Sequence, residues 1–273
     1  MSKPEPGPRA VLVTGAGEGL GYETARLLAA GNHHVIVHGR TAAQADYAVE
    51  RLVKDGADPL RLDVAVADFT DFRQVATMAH LVGEAHPRLD LLVNNAAIAG
   101  PETRELTVDG HEMTWQVNYL APYLLTTMLT GPLANARHGR VVNVSSPLHA
   151  RANLEPADLA ETRRYLRHAA YARSKLALTM FTKALTLYGP TRLTAVSVHP
   201  GILDTALLST YSEVGLHPSE GAHVVAQLCT QTSVINGGYY NDRALPCRPA
   251  ACVEDLGAVQ RLWKASAHQT GMG

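Results

Sequence analysis

Short apolar runs alternate with helix-length amphipathic segments from one end of the chain to the other. The runs at residues 10–14, 35–38, 59–62, 89–93, 140–145, 194–199 and 238–240 are rich in Val, Ile and Leu and read as strands. Between and after them, residues 19–30, 42–54, 68–86, 110–135, 169–188, 219–229 and 254–265 carry helical periodicity, with Pro122 as a candidate kink. Strands that read as continuous apolar runs are buried on both faces, and their alternation with helices predicts a parallel sheet covered on both sides. The expected fold is therefore α/β: a single doubly wound domain with a mostly parallel seven-stranded sheet. It spans residues 10–273, with residues 1–9 as a Pro-rich disordered tail.

Composition narrows the function. The chain has 273 residues, 46% hydrophobic and 18% charged, which is enough for one sizeable core. A formal net charge of −1 gives no reason to expect a nucleic-acid partner. No apolar run is long enough for a membrane span. The three cysteines, Cys229, Cys247 and Cys252, lack the spacing of a disulfide framework or a metal site, which favours the cytoplasm. The 13 histidines do not change this. His33-His34 reads as a loop pair, and His111-Glu112 begins like a zinc-protease helix but lacks the second histidine one turn later. No metal is expected.

The candidate chemistry lies where predicted strands end. The first runs into Thr14-Gly15-Ala16-Gly17-Glu18-Gly19-Leu20-Gly21. Glycines at a strand-to-helix turn let backbone N–H groups approach a pyrophosphate at the helix N-terminus. Arg40 follows the second strand, where an acidic residue would bind the ribose hydroxyls of NAD; a guanidinium suits a 2′-phosphate, so NADP(H) is favoured and NAD(H) stays open. Glu18 argues the other way by charge. Asp63-Val64 and Asn94-Asn95-Ala96-Ala97 follow the third and fourth predicted strands, with Asp63 as a candidate acceptor from the adenine amino group. Tyr171 and Lys175, one turn apart on a predicted helix, face the same side. A neighbouring ammonium favours the ionised form of a phenol, so the tyrosine can exchange a proton with a substrate oxygen.

With the glycine turn at 14–21, Asn-Asn-Ala at 94–96, Ser146, Tyr171-x-x-x-Lys175 and Pro200-Gly201, the sequence resembles the short-chain dehydrogenase/reductase family over about residues 10–240. Finer features are similar to its retinol-dehydrogenase-like branch: Asn143-Val144-Ser145-Ser146 with His149, the long gap before Tyr171, and Gly237-Gly238-Tyr239. The resemblance implies that Tyr171 is the general acid/base, that Lys175 tunes it and holds the nicotinamide ribose, and that Ser146 binds the substrate carbonyl. It also implies that Asn118 anchors a proton-relay water and that Thr205, after Pro200, Gly201 and Ile202, contacts the cofactor. Ala97 departs from the glycine usual in the family, and Glu18 from its Ser, Asn or basic residue.

The implied reaction is hydride transfer between nicotinamide and a small to medium apolar carbonyl/alcohol substrate, a ketoreductase chemistry. A non-redox use of the same acid/base pair and a cofactor-binding scaffold stay open. The 24 residues from 147 to 170 exceed an ordinary connection and are expected to cover one side of the substrate pocket. Residues 202–218, with Leu207, Leu208, Tyr211, Val214 and Leu216, are expected to form the other wall. The family commonly forms homodimers or homotetramers through the two long helices. Leu176, Thr179, Met180 and Leu187 suit such an outer face, and equally a face turned to the sheet.

Overall fold

A computed structural model describes residues 7–154, 165–205, 207 and 215–273. The strands are β1 (Ala10–Val13), β2 (His34–Gly39), β3 (Leu62–Val66), β4 (Leu91–Asn94), β5 (Arg140–Val144), β6 (Thr194–Val198), β7 (Gly238–Tyr240) and β8 (Pro246–Cys247). They form one sheet in the order β3-β2-β1-β4-β5-β6-β7-β8. Pairing is parallel throughout except for the last pair, β7 with β8. The expected fold class holds with one more strand, the two-residue β8, which is too short to register as an apolar run. The strand order reverses between β1 and β4, which opens a crevice at their carboxyl ends.

The helices are α1 (Gly19–Ala30), α2 (Ala42–Lys54), α3 (Phe72–Ala85), α4 (Met113–Trp115), α5 (Ala121–Met128), α6 (Thr130–Asn135), α7 (Arg167–Tyr188), α8 (Pro218–Thr230) and α9 (Leu256–Gln269). α2 shows how pattern becomes packing: Ala45, Ala48 and Leu52 share one face and are its buried residues, while Thr41 caps its start by accepting from Gln44 N. Two apolar clusters fill the two sides of the sheet, one around Leu12, Leu92 and Phe181, the other around Val13, Val93 and Leu228.

Three expectations need correction. The long helix expected at 110–135 is interrupted by a π turn at Gln116–Leu120, and Pro122 sits harmlessly in the first turn of α5. The strand expected at 59–62 starts only at Leu62, because Asp58 accepts from Leu60 N and Pro59 opens a 3-10 turn. The tail expected through residue 9 ends sooner. Arg9 donates from Nη1 to Cys229 O and its carbonyl accepts from His34 N; residues 1–6 lie outside the described residues.

The outer apolar face also changes. Leu176, Thr179 and Met180 are buried in the chain's own core, and only Leu187 is exposed. α9 covers the α5/α7 side. Its Trp263 packs on Tyr123, Phe181 and Tyr188, and its Ser266 hydroxyl meets Tyr119 Oη.

The carboxyl end of α8 is held by a buried cation. Arg140 Nη1 donates to the carbonyls of Leu228, Cys229 and Gln231 at 2.6, 3.4 and 3.0 Å. These are the orphan acceptors of a helix end, where positive charge is favoured. Arg140→Ala is expected to cost about 2–4 kcal/mol, which thermal unfolding would report as a fall in Tm of about 5–10 °C.

Candidate active site

The glycine turn is built around Thr14 and Asn95, on either side of the topological switch point. Thr14 Oγ1 accepts from the backbone N–H of Asn95 and of Ala96, at 2.9 and 3.0 Å. Asn95 Nδ2 donates to the carbonyls of Thr14 and Gly15 at 2.8 and 3.2 Å. The turn leaves no room for side chains: a Cβ on Gly21 would sit 2.1 Å from Gly15 O, and Gly15 has φ +64° with Ala96 directly against it. Gly19 has φ +56°, and a Cβ there would lie 3.4 Å from Thr205 Cγ2. The loop after β6 therefore reaches the glycine turn at Thr205. Gly17 lies over α2 and Leu20 is buried under the turn.

Glu18 occupies the N-cap of α1 without capping it through its side chain, and is exposed. A 12-residue helix thus presents its first-turn N–H groups without a side-chain cap, a suitable receptor for pyrophosphate. The residues present fit a dinucleotide.

A residue without an expected role completes this end. His38 is buried on β2; its Nδ1 accepts from Gly15 N at 2.9 Å and its Nε2 faces Ala67 O at 3.0 Å. Those partners require a neutral ring with the proton on Nε2. Burial agrees, pushing its pKa down to about 4. No sequence motif marks this histidine, because its partners come from two other strands.

Arg40 follows β2 and is exposed, as a 2′-phosphate contact requires. Asp63 does not reach the cofactor end. It is the second residue of β3, opposite Ile36, and is held by His34 and His86 at 2.6 and 3.0 Å. Val64 follows it, still within the strand and partly exposed. The late start of β3 is the reason. The residues that emerge at the carboxyl end of β3 are Ala67 and Asp68.

The second half of the site lies where β5 ends and α7 passes. Lys175 is 2% exposed, and its Nζ donates to Val144 O at 2.8 Å. No salt bridge reaches Lys175 among the described residues, and burial alone pushes its pKa from 10.5 down to about 7. Tyr171 is buried one turn earlier, its ring centroid 5.7 Å from that ammonium.

Asn118, on the π turn, binds Ile98 through both backbone groups: Oδ1 accepts from its N–H and Nδ2 donates to its carbonyl, at 2.8 and 2.9 Å. Nδ2 also donates to Ser174 Oγ, which in turn donates to Tyr171 O. Single π turns recur at functional sites; here the turn aims Asn118 at both the β4 loop and α7. Ser145 is tied to Thr179 Oγ1 at 2.7 Å, while Ser146 follows at the strand's edge, its Oγ accepting from Leu148 N at 3.2 Å. A buried amide ladder sets the register below: Asn94 Nδ2 donates to Asn143 Oδ1, and Asn143 Nδ2 to Thr182 Oγ1.

His149 is structural. Its Nε2 accepts from Ala250 N, so Nδ1 carries the proton and donates to Ser146 O at 2.8 Å. Pro200 is buried, and Gly201 takes φ +103°, which turns the chain towards Thr205. Ala97 lies between Asn95 and Ile98 and is half-buried.

The two segments expected to wall the substrate pocket are described in part. Tyr165 Oη and Arg167 Nε donate to Pro101 O at 3.2 and 3.3 Å, which fastens the end of the 147–170 segment to the loop after β4. In the other wall, Asp204 N and Leu216 N bond to Leu216 O and Ile202 O, holding Ile202 and Leu216 as an exposed apolar rim beside half-buried Leu207. Residues 155–164, with Glu161–Arg164, and Leu208, Tyr211 and Val214 lie outside the described residues.

A family model described as short chain dehydrogenase matches residues 9–214. The chain belongs to the short-chain dehydrogenase/reductase family. It is an NAD(P)-dependent oxidoreductase acting on a CH–OH/C=O pair. It is 32% identical to retinol dehydrogenase 13 of Mus musculus, covering 97% of this chain and 84% of that one. It is 30% identical to polyprenol dehydrogenase of Homo sapiens, covering 97% and 86%. These relatives support the retinol-dehydrogenase-like branch. A gluconate 5-dehydrogenase from Burkholderia cenocepacia, solved with NADP and tartrate, shares the fold with a TM-score of 0.68 at 22% identity, covering 87% of this chain and 94% of that one.

The buried ammonium yields a test in this short-chain dehydrogenase. Between its depressed folded pKa and the ordinary value near 10.4, the unfolded chain binds the proton that the folded chain does not. Lys175 therefore destabilises the fold most below about pH 7, and stability is regained as pH rises, by up to about 1.4 kcal/mol per pH unit. Lys175→Met is expected to melt above the wild type at about pH 6, with the gain shrinking by about pH 9.5. Thermal denaturation at the two pH values checks this.

Proposed function

We propose that the chain transfers hydride between NADP(H) and the carbonyl or alcohol carbon of a small to medium apolar substrate, with Tyr171 as general acid/base. The observation that carries this reading is Lys175. A buried lysine with a carbonyl partner and no salt bridge among the described residues is costly to the fold. Its position one turn from Tyr171 and beside the end of β5 gives that cost a use.

When bound, the nicotinamide supplies or takes the hydride. The chain's residues do the rest. Ser146 and Tyr171 donate hydrogen bonds to the substrate oxygen from two sides as negative charge builds on it. Tyr171 gives up its proton to that oxygen, and Lys175, charged beside it, stabilises the phenolate left behind. Asn118, held by Ile98 and Ser174, anchors the water through which the proton is replaced. Gly15, Gly17, Glu18, Gly19, Leu20 and Gly21 form the pyrophosphate turn, and Asn95, Ala96, Ala97, Pro200, Gly201, Ile202 and Thr205 line the nicotinamide side. Asp68 takes the adenine contact in place of Asp63, since it stands at the carboxyl end of β3. Arg40 favours the 2′-phosphate of NADP(H). The exposed Ile202 and Leu216 support an apolar substrate. The cytoplasm is the inferred compartment, in keeping with the free thiols of Cys229, Cys247 and Cys252.

Nicotinamide absorbance with a panel of apolar ketones, aldehydes and alcohols tests the reaction. The wild type should consume cofactor one-for-one with substrate, and Tyr171→Phe should lose about 10²–10⁴-fold in kcat. Substrate conversion with no net cofactor change would instead establish a non-redox use of the pair. Arg40→Ala should raise the KM for NADPH about tenfold or more while leaving that for NADH nearly unchanged. Equal effects on both cofactors would remove the 2′-phosphate role.

A further inference from the structure

At the opposite end of the sheet from the glycine turn, three side chains from three elements converge. His34 opens β2, Asp63 is the second residue of β3, and His86 closes α3 as its C-cap. The register pairs Asp63 with Ile36, so His34, two residues earlier on β2, is its diagonal neighbour on the same face of the sheet. Both imidazoles point Nε2 at one carboxylate oxygen, Asp63 Oδ2, at 2.6 and 3.0 Å, and their ring centroids are 5.3 Å apart. All three donor atoms lie within 4.8 Å of one another.

We propose that His34, Asp63 and His86 form a binding site for a divalent transition-metal ion, with zinc as the natural occupant. Two imidazole nitrogens and a carboxylate oxygen are a donor set that zinc accepts, with water completing the tetrahedron. At metal–ligand lengths of about 2.0–2.2 Å, tetrahedral donors stand roughly 3.3 Å apart. The two nitrogen–oxygen separations need open by well under 1 Å to admit the ion, and the two nitrogens already lie within 4.8 Å of each other. The side chains of His34, Asp63 and His86 are 31%, 47% and 15% exposed, so an ion can enter from water.

The electrostatics favour a cation. The site lies at the carboxyl end of the 14-residue α3, the negative end of the helix dipole. Among the described residues Asp63 forms ion pairs only with the two histidines. The nearest cationic side chain in sequence, Arg61, is engaged by Asp58 and by Asn32 O. His33 is turned away, its Nδ1 accepting from Arg9 N. Occupied, the site would tie the edge strand β3 to β2 and to the end of α3, far from Tyr171. It would act on the stability of the β2–β3–α3 corner and leave hydride transfer untouched.

The test uses untagged, chelator-treated full-length protein titrated with zinc against a chromophoric chelator, and with cobalt followed by its visible absorption. The wild type should bind one zinc per chain and melt at a higher temperature when zinc is present. Asp63→Asn and His86→Ala should weaken binding at least about tenfold and abolish the zinc-dependent rise in Tm. His80→Ala, which removes an exposed histidine paired with Glu84 elsewhere on α3, should bind as the wild type does. Absence of saturable one-to-one binding by the folded wild type overturns the proposal, and so does binding that survives both Asp63→Asn and His86→Ala. The wild-type titration stands even if a variant fails to fold.

Discussion

The hydrogen bond from Lys175 Nζ to Val144 O is the constraint on which the candidate catalytic half of the site depends. To make it, β5 must end where it does, leaving a carbonyl free at the carboxyl edge of the sheet. α7 must pass that edge at a fixed height and rotation, which places Tyr171 one turn further on. Ser145 bonds α7 at Thr179 and at the Lys175 carbonyl, and Ser174 carries the contact to Asn118. Charge burial of this kind works against stability. The fold offsets it with the large apolar cluster in which α7 lies.

The cofactor half depends on a different economy. Glycines make the turn possible, but they do not hold it in place. Thr14, Asn95 and His38 do so: Thr14 Oγ1 accepts from the β4-loop N–H groups of Asn95 and Ala96, Asn95 Nδ2 donates to the carbonyls of Thr14 and Gly15, and His38 accepts from Gly15 N. Each partner is neutral, so the turn's positive field is left for the phosphate. A histidine can serve there only because burial keeps it unprotonated, and the same burial makes its two ring nitrogens distinct.

The matching family model spans residues 9–214, and α9, which seals the α5/α7 side, lies beyond it. The packing of Trp263 on Tyr123, Phe181 and Tyr188 holds that cover in place. Tyr165 and Arg167 fasten the end of the 147–170 segment, and an exposed apolar rim of Ile202 and Leu216 edges the loop after β6.

Sequence by itself determined the parallel α/β order, the glycine turn and the shared helix face of Tyr171 and Lys175, because local periodicity and short-range spacing encode these, whereas Ser146 and Asn118 were marked only by the family resemblance. It misplaced β3, since Pro59-Leu60-Arg61 is apolar enough to read as a strand while Asp58 and Pro59 make a turn of it. That shift of a few residues moved Asp63 from the cofactor end to the far end of the sheet. Helical periodicity over 110–135 likewise hid the interruption at Gln116–Leu120, where Asn118 bonds Ile98, twenty residues away. Only the tertiary structure decided the roles of His38 and His149, the burial of Leu176 and Met180, and the meeting of His34, Asp63 and His86. In each case the partners come from separate strands and helices, and no pattern along one segment records which segment will lie beside it.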